Sequence, residues 1–262
     1  ILIETMQEDL RVALVQTHLH WENPIANRQY LQERFQELKT PVDLIVLPEM
    51  FTTGFTMTPQ HIDEVEAKQT LSWMQEMAKK YKTVVVGSQV FSEEGKYFNR
   101  LFCVNADGVI GEYDKRHTFT LAGEDQVYEK GETRLQLEEN GLTICPLICY
   151  DLRFPVWSRN VADYDVLLYV ANWPSPRISA WDTLLKARAI ENMAYCIGVN
   201  RIGLDEEGHS YPGHSAVYDV LGNQIAFSQK EEVVTVSLSK SHITKYRDKL
   251  KFLDDRDSFI VK

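Results

Sequence analysis

Short apolar runs rich in branched residues, separated by stretches of helical periodicity, restrict this chain to an α/β architecture. The runs at 11–16 (RVALVQ), 42–47 (VDLIVL), 83–90 (TVVVGSQV), 142–148 (LTICPLI) and 165–170 (DVLLYV) are six to eight residues long. That is the length of a buried strand and too short for a buried helix. Across 23–39, Ile25, Tyr30, Leu31, Phe35 and Leu38 recur at near-helical spacing, and across 64–81 so do Leu71, Trp73, Met74 and Met77. Strand–helix–strand–helix–strand implies a sheet with helices packed on it. The turn sequences EEGK (93–96) and NADG (105–108) predict antiparallel hairpins, and 116–131 reads as a loop. Further on, Ser179 and Asp182 make a capping-box pattern ahead of a helix carrying Trp181, Leu184, Leu185, Arg188 and Glu191. Strands are expected at 196–200 and 233–238, with a hairpin turn between 215–219 and 224–226. The tail from Ser239 is short, charged and helical at best. With no Pro/Gly/Ser linker and no repeat, a single domain is expected over 10–250, flanked by an N-terminal extension (1–9) and a C-terminal tail (251–262).

Composition narrows the function classes. A chain of 262 residues, 44% of them hydrophobic, can bury a substantial core. Its formal charge of −10 opposes nucleic-acid or anionic-membrane partners, which need a basic footprint, but leaves room for a local basic pocket. Cys103, Cys145, Cys149 and Cys196 are scattered, without a C-x-x-C pair or zinc-type His spacing. They fit reduced thiols in the cytoplasm and no metal site. No run approaches the roughly 18 apolar residues of a membrane span. The opening ILIETMQEDL is too short and acidic for a signal peptide, and Met6 could serve as a native initiator.

Three reactive side chains stand where strands end. The run 142–148 breaks at Cys149, followed by Tyr-Asp-Leu-Arg-Phe and then Pro155 near an expected helix start. A thiol on a strand-to-helix turn is where such folds expose a nucleophile, and the N–H groups that follow are expected to help lower its pKa. Glu49 follows 42–47, and Lys115 closes the hairpin region in YDKRH. In open α/β sheets, ligands gather beyond the carboxyl ends of strands. A thiol needs a base at neutral pH, which Glu49 would supply, and an ammonium such as Lys115 stabilises the oxyanion formed on attack at a carbonyl. Each also has a plain structural reading: a small buried Cys, a solvated Glu, an exposed Lys.

LPEMF with Glu49, YDKRH with Lys115 and LICYDLRFP with Cys149 resemble the three signature segments of the nitrilase (carbon–nitrogen hydrolase) superfamily. They occur in the family's order, and the similarity spans about residues 10 to 250. PEMFTTGF, DKRHTF, CYDLRFPVWSRN, YVANWPSPR and RAIEN look most like bacterial omega-amidases, which hydrolyse 2-oxoglutaramate and related ω-amides. The resemblance implies a four-layer α-β-β-α sandwich with mixed sheets, a homodimer or higher homo-oligomer, a Glu–Lys–Cys triad, and neither metal nor organic cofactor. It also implies Glu124, in LAGED, as a fourth catalytic residue ahead of Tyr128 and Gly131. Local pattern does not choose it over Asp125 or Glu129.

In that reading Cys149 attacks the amide carbon, Glu49 moves the protons, and Lys115 with the Tyr150 backbone N–H holds the oxyanion. A keto-acid ω-amide also needs a cationic anchor for its carboxylate. Arg177 and His117 are candidates near the strand ends, and Arg201 lies farther off. Arg153 follows the nucleophile closely but could equally pair with Asp151. Phe55, Phe119 and Trp173 are candidate pocket walls. His209 and His214 read as loop residues. The rivals are an N-carbamoyl amino-acid amidohydrolase or another aliphatic amidase of the superfamily, and, from a different class, a catalytically silent scaffold that retained the fold.

Overall fold

The computed structural model describes residues 9–261; the 1–8 part of the extension and the Met6 initiator lie outside them. In chain order the elements are β1 (Leu10–Gln16), α1 (Pro24–Phe35), β2 (Leu44–Val46), α2 (Glu64–Tyr81), β3 (Val84–Glu93), β4 (Lys96–Asn105) and β5 (Gly108–Asp114). There follow β6 (Leu137–Glu139), β7 (Leu142–Ile148), α3 (Pro155–Ser158), β8 (Val166–Ala171), α4 (Ile178–Asn192) and β9 (Tyr195–Asn200). The chain ends with β10 (Ile202–Leu204), β11 (Ser210–Pro212), β12 (Ser215–Tyr218), β13 (Gln224–Ser228), β14 (Glu232–Leu238) and α5 (Lys240–Leu250).

Two six-stranded mixed sheets result, in the orders β14-β1-β2-β3-β4-β5 and β13-β12-β9-β8-β7-β6. Each has three parallel strands at its centre, β1-β2-β3 in one and β7-β8-β9 in the other, with antiparallel strands on both flanks. Strands β10 and β11 form a separate two-stranded ribbon.

The period of two along each strand decides the layering. Leu10, Val12 and Leu14 of β1, with Leu44 and Val46 of β2, join one core with Ile144, Leu168 and Ile197 of the other sheet. Their neighbours Ala13, Val15 and Ile45 face the opposite way, onto Leu31 and Phe35 of α1 and Trp73, Met74 and Met77 of α2. On the far side α4 lays Trp181, Leu185 and Ala189 on the second sheet. Gly198 makes that approach possible, since a Cβ there would lie 2.5 Å from Leu185 Cδ1 and 2.6 Å from Trp181 Cζ2. The result is an α-β-β-α sandwich.

Helix ends follow local chemistry. Asn23 caps α1 ahead of Pro24, and Asp63 caps α2, whose bounds match the periodicity. The expected capping box at Ser179 does not form: α4 begins at Ile178 with Arg177 as its cap. Asp182 is turned instead to His214 Nδ1, 3.0 Å away. Strands β6, β10 and β11, only three residues each, carry too little pattern to be read from sequence. No described helix is long and apolar enough to cross a membrane.

Candidate active site

Cys149 sits at the carboxyl end of β7, on a turn with φ +43°, a conformation uncommon outside glycine. The turn continues as a 3-10 segment, Cys149–Arg153, before the single helical turn of α3. Only there does the sequence expectation of a helix hold, and it is short. The first N–H groups of such a segment lack intrahelical acceptors.

Glu49 lies three residues beyond β2 and is fully buried. Lys115 follows β5, an exposed edge strand with Tyr113 alone buried. The Lys115 segment is placed by its neighbours. Its N–H donates to Asn99 O (3.1 Å), and its carbonyl accepts from Gly131 N–H (2.9 Å). A Cβ on Gly131 would stand 2.1 Å from Asp114 O, so only glycine fits.

The charged centre is dense. Lys115 Nζ donates to Glu49 Oε1 at 2.8 Å and to Glu124 Oε1 and Oε2 at 3.0 and 2.9 Å. Asn99 Nδ2 bridges the two carboxylates, 2.9 Å from Glu49 Oε1 and 3.3 Å from Glu124 Oε1. Asn172, just past β8, donates its backbone N–H to Glu49 Oε2 (2.8 Å) and its side-chain amide to Glu49 O (2.6 Å). The Asn172 carbonyl lies 4.0 Å from Cys149 Sγ. Of the acidic residues the sequence left open, it is Glu124 that reaches Lys115.

These surroundings set the protonation states. Burial alone would lower the Lys115 pKa, but Glu124 and Glu49 outweigh it and hold the ammonium protonated above the ordinary lysine range. Burial raises the Glu124 carboxyl, with Lys115 opposing and Glu49 adding to the rise. The Cys149 thiol is pushed well up, first by burial and then by Glu49, with Lys115 pulling the other way. The expected lowering by turn N–H groups is therefore overruled, and the resting group is a thiol beside Glu49.

A cavity of about 430 Å³ opens over the centre. Lys115, Cys149 and Asn172 line its floor, and Phe55, Phe119, Tyr150 and Trp173 its walls, with Arg153 and Arg177 also lining it. Phe55 lies under the Lys115 ammonium, 5.0 Å from Nζ to the ring centre. Arg153 stacks over Trp173 and Arg177 over Phe119, at 4.9 and 5.1 Å. Among the described residues neither guanidinium has a carboxylate partner; the Asp151 pairing open to Arg153 is not made. His117 corrects the sequence reading. It lies outside the cavity lining, its Nδ1 2.7 Å from Asp151 and its ring stacked 3.7 Å from Phe154. Arg201 is fully buried, stacked on Tyr211 and donating to the carbonyls of Leu19 and Leu204. Asp205 and His209, in the β10–β11 connection, and Tyr211 of β11 also line the cavity. Asn99 escapes sequence reading because a lone Asn in a strand carries no signal of its own. Asn172 could have been found, as the first polar residue after an apolar strand.

Comparison with known proteins agrees with this geometry. The carbon-nitrogen hydrolase family model matches residues 11–248. Omega-amidase YafV of Yersinia enterocolitica is 40% identical over 254 residues, covering 96% of this chain and 98% of that one. The 2-oxoglutaramate amidase of Bacillus subtilis (strain 168) is 29% identical, covering 93% and 96%. XC1258 of Xanthomonas campestris, a CN-hydrolase superfamily protein solved with an arsenic adduct in its active site, superposes with a TM-score of 0.93 at 39% identity, over 97% of this chain and 99% of that one. With its fold, its signature segments and a family match along nearly its whole length, the chain belongs to the carbon-nitrogen hydrolase (nitrilase) family.

Proposed function

We propose that the protein is an omega-amidase, hydrolysing the terminal amide of a small dicarboxylic acid monoamide such as 2-oxoglutaramate. The observation that carries this reading is a Glu–Lys–Cys cluster at the floor of a cavity lined by two unpaired guanidinium groups. The floor suits attack on an amide, and the guanidinium groups suit the substrate's far carboxylate.

Glu49 accepts the thiol proton as Cys149 Sγ attacks the amide carbon. The resulting oxyanion is held by the Lys115 ammonium and the Tyr150 N–H. Protonated Glu49 returns its proton to the leaving nitrogen, the C–N bond breaks, and ammonia departs from a thioester. Glu49 then takes a proton from water, whose oxygen attacks the thioester; the second tetrahedral intermediate collapses to the acid and the free thiol. Glu124 keeps Lys115 protonated and in place. Positioned acid–base help is worth roughly 10²- to 10⁴-fold, and an oxyanion donor about 10²- to 10³-fold.

Arg153 and Arg177 anchor the substrate carboxylate, with Phe55, Phe119 and Trp173 walling its short chain. The reading extends to one domain over 10–250, supported by the core the two sheets share. It extends also to a homodimer, supported by Phe252, Phe259, Ile260 and Val261, apolar side chains exposed along the C-terminal segment. A cytoplasmic location fits four cysteines without a disulfide. The test compares ammonia release from 2-oxoglutaramate, N-carbamoyl-β-alanine and butyramide, with Cys149→Ala as control. Preference for 2-oxoglutaramate, abolished in the control, is expected. Preference for the carbamoyl compound would replace the substrate, and half-retained activity in Cys149→Ala would end the mechanism.

A further inference from the structure

Asp151 follows Cys149 by two residues, is fully buried, and takes no part in the chemistry just described. Its carboxylate accepts four hydrogen bonds. Oδ2 takes the Tyr113 hydroxyl (2.7 Å) and the Ile148 N–H (3.1 Å). Oδ1 takes the His117 backbone N–H (3.0 Å) and, in the tautomer a carboxylate selects, its Nδ1–H (2.7 Å). Ile148 immediately precedes the nucleophile. Tyr113 and His117 stand two residues to either side of Lys115. One buried carboxylate thus grips the cysteine's turn with one oxygen and both flanks of the lysine with the pair.

The grip is reinforced from behind. The Tyr113 oxygen accepts from Arg116 N–H (3.2 Å) and Trp157 Nε1–H (3.0 Å). His117 lies flat on Phe154, the planes 3° apart. The other bonds of Lys115 run to Asn99, Gly131, Glu49 and Glu124, on its own sheet or the loop that follows. Cys149 belongs to the other sheet. Among the described residues no Lys or Arg pairs with Asp151, so this is not a charge buried to neutralise an arginine.

We infer that Asp151 is a positioning residue of the amidase reaction, the strut that sets the Lys115 ammonium against the Cys149 sulfur. This rests on the roles given above to Cys149 and Lys115. Reacting groups displaced by about 1 Å lose on the order of 10²-fold in rate. An asparagine would keep the size of Asp151 but present an NH2 donor where two donors now point.

The experiment measures kcat and KM of Asp151→Asn with 2-oxoglutaramate, and iodoacetamide alkylation of Cys149 against pH. We expect kcat to fall about 10²-fold with KM changed less than about threefold. Alkylation should slow and its pH midpoint should rise, because the ammonium no longer faces the sulfur. In a Lys115→Met background the same substitution should slow alkylation far less. An equal loss in both backgrounds, or a change in KM alone, would mean that Asp151 does not act through Lys115. Should Asp151→Asn fail to fold, Tyr113→Phe removes one bond of the strut, and an unchanged kcat there overturns the inference. If Cys149→Ala is inactive while Asp151→Asn behaves as wild type, this inference alone fails; activity in Cys149→Ala removes the reading beneath it.

Discussion

Replacing Lys115 by methionine tests the charged centre, because the length of the side chain survives and only the ammonium is lost. In the folded protein that ammonium donates at 2.8 to 3.0 Å to three oxygens of two fully buried carboxylates. Removing one partner of a buried ion pair costs about 3–5 kcal/mol, since the remaining charge is stranded. A further part, about 0.5–2 kcal/mol, is the ammonium over the Phe55 ring and does not depend on pH. The stranded part does depend on it. Burial and Glu49 already raise the Glu124 carboxyl, and Lys115 restrains the rise. Without the lysine that restraint is gone. A carboxyl whose folded pKa exceeds its unfolded value is penalised when ionised, so the cost is full at high pH. It is relieved as pH falls through the folded pKa and stops changing below the unfolded one. The relief is at most about 1.4 kcal/mol per pH unit, or about 3 kcal/mol from pH 7 to pH 5. Urea unfolding of both proteins at pH 5, 6, 7 and 8 measures it. The midpoint gap should be widest at pH 8 and contract toward pH 5, with the slope of the transition unchanged. A gap that is constant, or that widens as pH falls, would refute the claim that the lysine's structural role is to neutralise Glu49 and Glu124.

Arg153→Met should raise KM for 2-oxoglutaramate by about 10-fold or more, the worth of one charge-assisted hydrogen bond, while leaving turnover of uncharged butyramide within about twofold; steady-state kinetics on both substrates decide it. Gly131→Ala should destabilise the protein by about 1–3 kcal/mol and depress kcat more than KM, because the new Cβ drives Asp114 and hence Lys115 out of place. Wild-type kcat in that variant would show that the lysine tolerates movement of its strand end.

Much of this molecule is written in short-range pattern. Helix α2 is bounded where its periodicity starts and stops, because Asp63 caps one end and Lys82 takes the left-handed conformation at the other. Glu49 and Cys149 were visible because an apolar run ending in a reactive side chain is a local event. The failures have a common cause. Ser179 and Asp182 look like a cap in isolation, yet Asp182 finds a better partner in His214, 32 positions away. His117 looks like an anchor beside Lys115, yet Asp151, 34 positions on, claims it. Asn99 gives no sign that Glu49 lies 50 positions before it. Each depends on a contact between residues 32 to 50 positions apart, which no short window of sequence contains. Arg153 stays open in sequence for the same reason, since its partner depends on what else Asp151 binds.

The protonation states also say why the site needs two sheets. In a thiolate–imidazolium enzyme the nucleophile is charged at rest and needs only its partner. Here the sulfur is held protonated by burial and by Glu49, and Lys115 only moderates that effect. In the proposed reaction the attacking thiolate is made during turnover, by Glu49, which is also bound to Lys115. Glu49 and Lys115 ride on the first sheet, Cys149 and Asn172 on the second. The bonds between Asn172 and Glu49 and those of Asp151 fasten the two halves. A resting thiol is also a poor target for oxidants, because oxidation follows thiolate character. On the proposed mechanism the arrangement confines sulfur reactivity to the time when an electrophilic carbon lies between Glu49 and the Lys115 ammonium. That confinement depends on the registration of one sheet against the other.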